Sequence, residues 1–235
     1  MSSRCVAIIT ARGGSKRIPR KNIKDFLGHP IIKYSIDAAL LAGCFDEVMV
    51  STDDTEIADI SKRFGAQIPF FRSSSTSNDF ATTADVIEEV LLEYRHTGKD
   101  FEYFCCIYPT APFVSPERLK QGYDVLKEGN TDIVLPVVRF NYPIQRALKI
   151  EEGHLKMIWP EYLMARSQDL MPTYHDAGQF YWGRSERFLK QKKLFTESTI
   201  PIEVPESHVQ DIDTLEDWKI AEMKYTTINT KLHNR

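Results

Sequence analysis

Five basic side chains are concentrated in one short loop near the start of the chain. The loop follows the apolar run 6–10, and Gly13 and Gly14 lie within it. Its cations are Arg12, Lys16, Arg17, Arg20 and Lys21. The two glycines let the backbone approach a ligand closely and turn N–H groups towards it. Although the glycine-lysine pattern of a Walker A motif is absent, this composition is typical of a polyphosphate site.

A solvated basic turn is the other interpretation of this loop, because clusters of like charge are common on protein surfaces. Two observations count against it. The loop directly follows the first apolar run, and open α/β sheets place their ligand loops after such strands. The rest of the chain is not basic, since 30 Lys and Arg stand against 33 Asp and Glu. The positive charge is therefore focused on one loop, as an anion site requires.

Two aspartates near the C-terminus, Asp211 and Asp213, have the spacing of a metal-binding pair. On an extended segment, residues two apart point to the same side. Two convergent carboxylates can bind a hard cation such as Mg²⁺ and hold it against phosphates. The alternative is structural, because Asp213 and Glu216 also have the spacing of a capping box for the last helix. The two interpretations are compatible, and both stay open.

Other polar residues follow apolar runs. Arg72 lies before the serine-rich loop 73–79, and by itself is more typical of a surface cation than of a ligand-binding residue. Asp79, Thr82 and Thr83 are suited to a ligand loop and equally to the start of a helix. The segment 108–112 directly follows a buried strand. Its two prolines stiffen it at the sheet edge where ligands bind in α/β proteins.

A mixture of polar and aromatic residues marks the point where the chain returns to the sheet. Arg166 and the run 175–182 have the composition of a small-molecule pocket. The histidines show no metal-ligand spacing, so we predict no histidine metal site.

Composition limits the classes of partner. The net charge of −3 argues against broad binding of nucleic acid. No apolar stretch approaches the length of a membrane-spanning helix, and the first apolar run is too short for a signal peptide. The four cysteines lack metal spacing and lie in or beside apolar runs, which is typical of small buried side chains in a reducing compartment. We therefore expect a cytoplasmic protein with no nucleic-acid or membrane partner.

Strands and helices alternate through residue 138. We predict strands at 6–10, 47–51, 104–108 and 132–138 and helices at 31–41, 55–64, 83–95 and 116–127. This alternation indicates right-handed βαβ units and a mostly parallel sheet, in an α/β fold. The length of 235 residues suits one large domain.

The alternation stops at residue 139. The segment 139–176 is predicted to leave the sheet as an arm that contains a hairpin around Glu152 and Gly153. The regular pattern then resumes, with strands at 179–182 and 199–204, a short helix from 185 and a last helix from 214 to about 225. We therefore predict one α/β domain formed by 1–138 and 177–225, an arm insert at 139–176 and a flexible tail at 226–235.

Four motifs resemble one enzyme family. ARGGSKRIPRKN, VSTDDTEIADISKRFGA, YPTAPF and DIDTLEDW are together similar to the nonulosonate cytidylyltransferases, which include the CMP-sialic acid synthetases. The resemblance runs from about residue 5 to 222, and DAGQFYWG is most similar to the branch that activates pseudaminic acid. It implies a Rossmann-like nucleotidyltransferase fold of the GT-A type, with a mostly parallel sheet, helices on both faces and a protruding dimerisation arm.

The resemblance also implies the residues of a CTP site. The nucleotide contacts carried over from the family are Ala11, Arg12, Gly13, Ser15, Lys16, Lys21, Asn22, Arg72, Asp79, Thr82 and Thr83. Among them, Arg72 matches an arginine near cytosine. The implied catalytic residues are Arg12, Lys16 and Asp211, and the implied Mg²⁺ ligands are Asp211 and Asp213.

The sugar site carried over from the family departs from the sialic acid pattern. Its residues are Tyr108, Gln145, Arg146, Arg166, Gln179 and Tyr181. Tyr108 stands where the sialic acid enzymes usually have glutamine. Gln145, or Arg146 if the register slips by one, stands where they typically have lysine. These differences favour a nonulosonic acid other than ordinary sialic acid.

The implied reaction transfers CMP from CTP to the anomeric hydroxyl of a nonulosonic acid, with pseudaminic acid favoured, and releases pyrophosphate. Synthesis of CMP-N-acetylneuraminate or CMP-legionaminate is an alternative, and so is transfer to a sugar 1-phosphate. An RNA-binding protein is a third possibility, but such a loop would need aromatic residues, and none lies between Arg12 and Lys21.

The arm is rich in large apolar side chains: Phe140, Tyr142, Ile144, Leu155, Met157, Ile158, Trp159, Tyr162, Leu163 and Met164. A short arm cannot bury so many by itself, and exposed patches of this size usually mark partner surfaces. The alternative is that the arm folds back on its own sheet. The resembled family dimerises through such an arm, which also covers the neighbour's sugar site, so we predict a homodimer.

Overall fold

A computed structural model of the chain describes residues 4–233. Eleven strands occur in this range: β1 (Cys5–Thr10), β2 (Asp25–Phe26), β3 (His29–Pro30), β4 (Glu47–Ser51), β5 (Tyr103–Ile107), β6 (Ile133–Arg139), β7 (Leu148–Glu151), β8 (His154–Met157), β9 (Tyr174–Asp176), β10 (Phe180–Arg184) and β11 (Thr199–Glu203).

Seven α-helices lie in the same range: α1 (Ile32–Leu41), α2 (Thr55–Arg63), α3 (Ser74–Ser77), α4 (Thr83–His96), α5 (Pro116–Glu128), α6 (Ser185–Gln191) and α7 (Leu215–His233). Short 3₁₀ turns occur at Lys21–Ile23, Ile144–Arg146, Pro160–Tyr162, Ser167–Asp169 and Glu206–His208. None of these helices is both long and apolar enough to cross a membrane.

The central sheet is mixed but mostly parallel. Its order is β11-β6-β10-β5-β1-β4, and β9 pairs with one end of β6. β1 is parallel to β4 and β5, and β11 is parallel to β6. β10 runs antiparallel to both of its neighbours, and β9 is antiparallel to β6. The predicted α/β class with a mostly parallel sheet is confirmed, although the sequence pattern did not reveal that the returning strand is antiparallel.

Helices cover both faces of this sheet. Val6 and Ile8 of β1 pack in the cluster that contains α4 and α6, while Ala7 and Ile9 pack in the cluster that contains α1, α2 and α5. Strands buried on both faces are apolar throughout, which is why 6–10 is readable as a strand. A side-chain cap marks the start of α2, since Asp54 accepts the N–H of Ile57 at 3.0 Å.

A third apolar cluster connects the basic loop to the C-terminal segment. It consists of Ile18, Phe26, Ile31, Phe113, Ile212, Trp218 and Ala221. Ile18 belongs to the loop after β1, and Ile212 lies between the two aspartates of the predicted metal pair. Burial of these two side chains in one cluster therefore places Asp211 and Asp213 beside the basic loop.

The prediction that the last helix ends near Tyr225 is wrong, because α7 continues to His233. Residues 226–233 are thus helical, while residues 234 and 235 lie outside the described range; the flexibility of the segment 226–235 stays a prediction. Tyr225 and Ile228 pack against the third cluster, which favours continuation of the helix. The hydroxyl of Thr226 donates to the carbonyl of Glu222 at 2.9 Å, so this polar side chain is satisfied within the helix.

Candidate functional site

A cavity of about 420 Å³ opens at the carboxyl edge of β1 and β5. It is lined by Thr10, Arg12, Ser15, Lys16, Arg17, Ile18, Lys21, Asn22, Tyr108, Pro109 and Thr110. The parallel strands β1 and β5 are neighbours, so the loops that follow them meet at the same edge. The cavity therefore combines the basic loop with the proline-stiffened segment after β5, at the position where α/β sheets bind ligands.

Asp79 is the counter-ion of two loop cations. One carboxylate oxygen lies 2.8 Å from Nη1 of Arg12, and the other accepts a hydrogen bond from the ammonium group of Lys16. Arg12 also donates to the carbonyl of Asn78 at 3.0 Å. The hydrogen bond from Lys16 is the largest cause that holds the pKa of Asp79 below its usual range, and the hydrogen bond from Arg12 is the next. Asp79 is thus joined to the cations predicted to bind phosphate.

Asp213 is the counter-ion of two further cations. Its carboxylate lies 2.7 Å from Nη1 of Arg17 and 3.7 Å from Nζ of Lys21. Lys21 also donates to the carbonyl of Ile212 at 2.6 Å. The predicted metal pair and the predicted phosphate loop are thus in direct contact.

Arg20, the fifth cation of the loop, has a structural role. It forms a fork with Asp54, in which Nη2 lies 2.9 Å from Oδ1, and it also pairs with Glu56. The hydrogen bond from Arg20 is the main cause that lowers the pKa of Asp54 to about 2. Its guanidinium group is therefore bound to the N-terminal end of α2 and does not line the cavity.

Short polar contacts position the remaining loop residues. Asp53 accepts the N–H of Gly13 at 2.9 Å, so a carboxylate already occupies one of the N–H groups expected to face phosphate. Asn22 is buried, and its amide donates to the carbonyl of Arg12 at 2.8 Å. Ala11 is buried against β4, and Ser15 lies at the cavity wall. Sequence reasoning missed the role of Asp53, although the paired aspartates after β4 are visible in the sequence.

Arg72 is buried, with 8% of its surface exposed. Its Nε donates to the hydroxyl of Ser51 at 3.0 Å, and its Nη2 donates to the carbonyl of the same residue at 2.6 Å. Burial lowers the pKa of Arg72 to about 10, so the side chain is still charged at neutral pH. The interpretation as a surface cation is wrong, because the guanidinium group is fixed at the end of β4.

The two predicted metal ligands differ in their surroundings. Asp211 is exposed, Ile212 is buried and Asp213 is half-buried, which agrees with side chains that alternate along an extended segment. The capping box is one residue later than predicted. Thr214 accepts the N–H of Asp217 at 3.2 Å, and Asp217 accepts the N–H of Thr214 at 2.8 Å. The prediction that Asp213 and Glu216 form this box is wrong, so the Asp213 carboxylate is free for its contacts with the loop.

The residues predicted to bind sugar fall into two groups. Tyr108 and Tyr181 meet beside the start of α4, with ring centroids 5.5 Å apart. The hydroxyl of Tyr108 lies 3.0 Å from that of Thr83. The hydroxyl of Tyr181 donates to Asp176. Asp176 lies in the polar and aromatic run 175–182, but sequence reasoning did not single it out.

The other predicted sugar residues make different contacts. In the arm, Gln145 donates to the carbonyl of Met171 at 2.9 Å, and Arg166 lies 2.7 Å from Asp169. Arg146 lies 3.5 Å from the hydroxyl of Ser167. Gln179 is buried and donates to the carbonyl of His208 at 2.7 Å. Their roles in sugar binding stay predictions, as does the role of Thr82, whose hydroxyl caps α4.

The sequence of this chain matches the family described as cytidylyltransferase over residues 6–219. The chain belongs to the cytidylyltransferase family. It is therefore an enzyme, a nucleotidyltransferase, and the predicted family is confirmed.

Two related proteins match this cytidylyltransferase along nearly all of their length. The pseudaminic acid cytidylyltransferase of Campylobacter jejuni is 40% identical over 221 residues, which cover 94% of this chain and 95% of that protein. The CMP-N,N'-diacetyllegionaminic acid synthase of Legionella pneumophila is 30% identical over 227 residues, which cover 93% and 95%.

A solved structure has the same fold as this cytidylyltransferase. It is that of a CMP:2-keto-3-deoxy-manno-octonic acid synthetase complexed with CTP, with a TM-score of 0.70 at 17% identity. The match covers 96% of this chain and 99% of that chain. Identity this low shows the fold alone, which agrees with the predicted nucleotidyltransferase architecture.

Proposed function

We propose that this enzyme transfers CMP from CTP to the anomeric hydroxyl of pseudaminic acid and releases pyrophosphate. The observation that carries the proposal is that one cavity is lined by Arg12, Lys16, Lys21 and Tyr108, and so joins the predicted phosphate loop to a predicted sugar residue. The choice of sugar is supported by the 40% identity to the Campylobacter jejuni pseudaminic acid cytidylyltransferase, against 30% for the legionaminic acid enzyme.

In this reaction the anomeric oxygen of the sugar attacks the α-phosphorus of CTP. A new bond forms between that oxygen and phosphorus, and the bond from the α-phosphorus to the bridging oxygen breaks. The hydroxyl proton is released to water and pyrophosphate leaves. Negative charge grows on the leaving pyrophosphate, so the main tasks of the protein are alignment and charge stabilisation.

Arg12 and Lys16 are placed to stabilise this charge. Both side chains line the cavity, and both are already bound to a carboxylate of Asp79. Phosphate oxygens and carboxylate oxygens accept hydrogen bonds from the same N–H donors. CTP therefore competes with Asp79 for these cations, and Asp79 acts on the nucleotide through them.

Asp211 and Asp213 fit a divalent cation. The Asp211 carboxylate is exposed, and the Asp213 carboxylate faces the cavity cations Arg17 and Lys21. No group of three acidic, histidine or cysteine ligands occurs among residues 4–233, so phosphate and water oxygens would complete the coordination. A Mg²⁺ ion held by these carboxylates would supply positive charge to stabilise the phosphates.

The arm supports a homodimer with shared sites. Leu155 is 70% exposed and Met164 is 89% exposed, so the apolar side chains of the arm are not all buried within one chain. Arg146 and Arg166 contact other residues of the arm. We propose that the arms of two chains pack together and that these arginines complete the partner's sugar site.

A direct assay tests the reaction. The purified chain is incubated with CTP, Mg²⁺ and one of three acceptors: pseudaminic acid, N,N'-diacetyllegionaminic acid or N-acetylneuraminic acid. Pyrophosphate release and the mass of the CMP-sugar are measured, and pseudaminic acid is expected to react at least tenfold faster. Preference for another acceptor would change the sugar assignment. Use of UTP as readily as CTP, or product from a sugar 1-phosphate, would contradict the proposed reaction.

A further inference from the structure

The buried hydroxyl of Tyr181 is held by Asp176. Tyr181 is only 4% exposed, so its O–H requires a partner inside the protein. Oδ2 of Asp176 accepts this hydrogen bond. Oδ1 of the same carboxylate accepts the N–H of Gly178 at 2.8 Å, which fixes the carboxylate from its other side.

This contact is one end of a polar network that crosses the site. The rings of Tyr181 and Tyr108 meet edge to face, and the hydroxyl of Tyr108 lies 3.0 Å from that of Thr83, the first residue of α4. Burial is the main cause that raises the pKa of both tyrosines, so both stay neutral and can donate. Asp176 thus anchors Tyr181, whose ring packs against that of Tyr108, and both tyrosines are predicted sugar-site residues.

Asp176 retains unused acceptor capacity. An ionised carboxylate offers about four lone-pair directions, and two of them are taken by Tyr181 and Gly178. The residue is half-buried, and no ion pair joins it to any of the side chains that the structure describes, those of residues 4–230. A ligand beside the two tyrosines could therefore donate O–H or N–H groups to it, whereas a ligand carboxylate would be repelled.

We propose that Asp176 is a specificity-determining residue of the acceptor-sugar site, which positions Tyr181 and accepts a hydrogen bond from a hydroxyl or acylamino N–H of the nonulosonate. Because like charges repel, it also orients the sugar so that its own carboxylate points away from Asp176. This inference rests on the proposed function. It assigns a role to a residue that the sequence did not single out.

The test compares kinetics of full-length Asp176→Asn and wild-type enzyme, with each substrate varied in turn. Asparagine keeps the shape but loses the charge, so the KM for pseudaminic acid should rise about tenfold. The KM for CTP should change less than about twofold, because Asp176 contacts none of the cations of the basic loop. Asp124→Asn is the matched control, since this partly exposed carboxylate is also hydrogen-bonded but lies on α5.

A double-mutant cycle separates positioning from general disruption. In a Tyr181→Phe background the donor is gone, so Asp176→Asn should have a smaller effect on the sugar KM than it has in the wild type. If Asp176→Asn does not fold, Asp176→Glu replaces it, because this variant keeps the charge but displaces the carboxylate, and a rise of at least about threefold in the sugar KM is expected.

An unchanged sugar KM in the folded Asp176 variant would overturn the inference, and so would an equal rise in the KM for CTP. Failure of the proposed function gives a different result. In that case the wild-type enzyme itself forms no CMP-sugar from any nonulosonic acid, whatever residue stands at position 176.

Discussion

The guanidinium group of Arg12 donates a hydrogen bond of 2.8 Å to the carboxylate of Asp79, a residue 67 positions later in the chain. Arg12 follows β1, and Asp79 lies in the loop that leads to α4. The contact joins two segments that the sequence assigns to the nucleotide site. The protein therefore supplies its own anion to the loop, and under the proposed function the phosphates of CTP compete with it.

Lys16→Ala should impair turnover much more than folding. Lys16 is exposed, and exposed ion pairs contribute little to stability, so Tm should change by less than about 2 °C. The loss of one cation that stabilises developing charge should lower kcat/KM about a hundredfold. Steady-state kinetics and thermal melting measure both quantities. A large fall in Tm would show that the loop cation is structural and would contradict the phosphate role.

Arg20→Ala, the matched control from the same loop, should lower stability and leave turnover nearly unchanged. Its fork with Asp54 is partly buried, so the free energy of unfolding should fall by about 1 kcal/mol after allowance for solvent screening. Turnover at low temperature should be nearly unchanged, because Arg20 does not line the cavity. Chemical denaturation gives the first value and the CTP assay the second. Loss of turnover without loss of stability would indicate that Arg20 binds phosphate and is not a structural residue.

The Arg20–Asp54 pair also predicts how stability depends on pH. The pKa of Asp54 is lowered in the folded protein from 3.8 to about 2. Because the pKa of Asp54 is lower in the folded than in the unfolded chain, its ionised carboxylate stabilises the fold at pH values above the unfolded pKa. This contribution is lost as pH falls from about 4 to about 2. The difference in unfolding free energy between wild type and Arg20→Ala should therefore shrink over that range. A difference that stays constant down to pH 2 would contradict this assignment.

Asp211→Ala should lower turnover about a hundredfold without loss of stability, because its exposed carboxylate is predicted to hold the metal. The affinity for Mn²⁺ in the presence of CTP, measured by electron paramagnetic resonance, should fall together with turnover. Glu216→Ala is the control, since Glu216 is also exposed and the capping box uses Asp217 instead. Full activity of Asp211→Ala in dilute Mg²⁺ would remove Asp211 from the metal site.

Arg72→Ala should reduce the use of CTP and narrow its advantage over UTP. Ser51 fixes Nε and Nη2 of Arg72, and the family resemblance predicts that this guanidinium group donates to the O2 and N3 acceptors of cytosine. Arg72→Lys keeps the charge but loses the planar fork, so it should restore folding more than base selectivity. The ratio of kcat/KM for the two nucleotides is the measurement. An unchanged ratio in a folded Arg72→Ala variant would exclude a role in base reading.

Trp159→Asp should convert the predicted homodimer into monomers and reduce activity. A charge placed in an apolar interface is unfavourable, and in a twofold dimer each substitution acts twice. Trp159 is 38% exposed in one chain, so the monomer itself should tolerate the change. Sedimentation at micromolar concentration measures the mass. A wild-type monomer of 27.1 kDa with full activity would refute both the dimer and the shared site.

Local patterns were sufficient for most of the fold. The four strands and four helices predicted within residues 5–139 lie within two residues of their predicted bounds, because buried strands, amphipathic helices and helix caps have short-range signatures. The short elements β2, β3 and α3 were not predicted, and α3 lies in the segment 73–79 that was predicted as a loop. The basic loop was also visible, since its glycines and cations are contiguous. The end of α7 was not, because its continuation depends on packing of Ile228 against residues far away in the chain.

The sequence by itself determined the α/β class and the family, and it predicted the residues that bind phosphate. Only the tertiary structure decided which carboxylate each cation contacts: Asp79 for Lys16, Asp213 for Arg17 and Asp54 for Arg20. It also decided that β10 runs antiparallel, and that Tyr181 meets Asp176. The physical reason is the separation along the chain over which each interaction acts. Hydrophobic periodicity and capping act over a few residues, whereas ion pairs and buried hydroxyl contacts depend on which distant segments the sheet topology brings together.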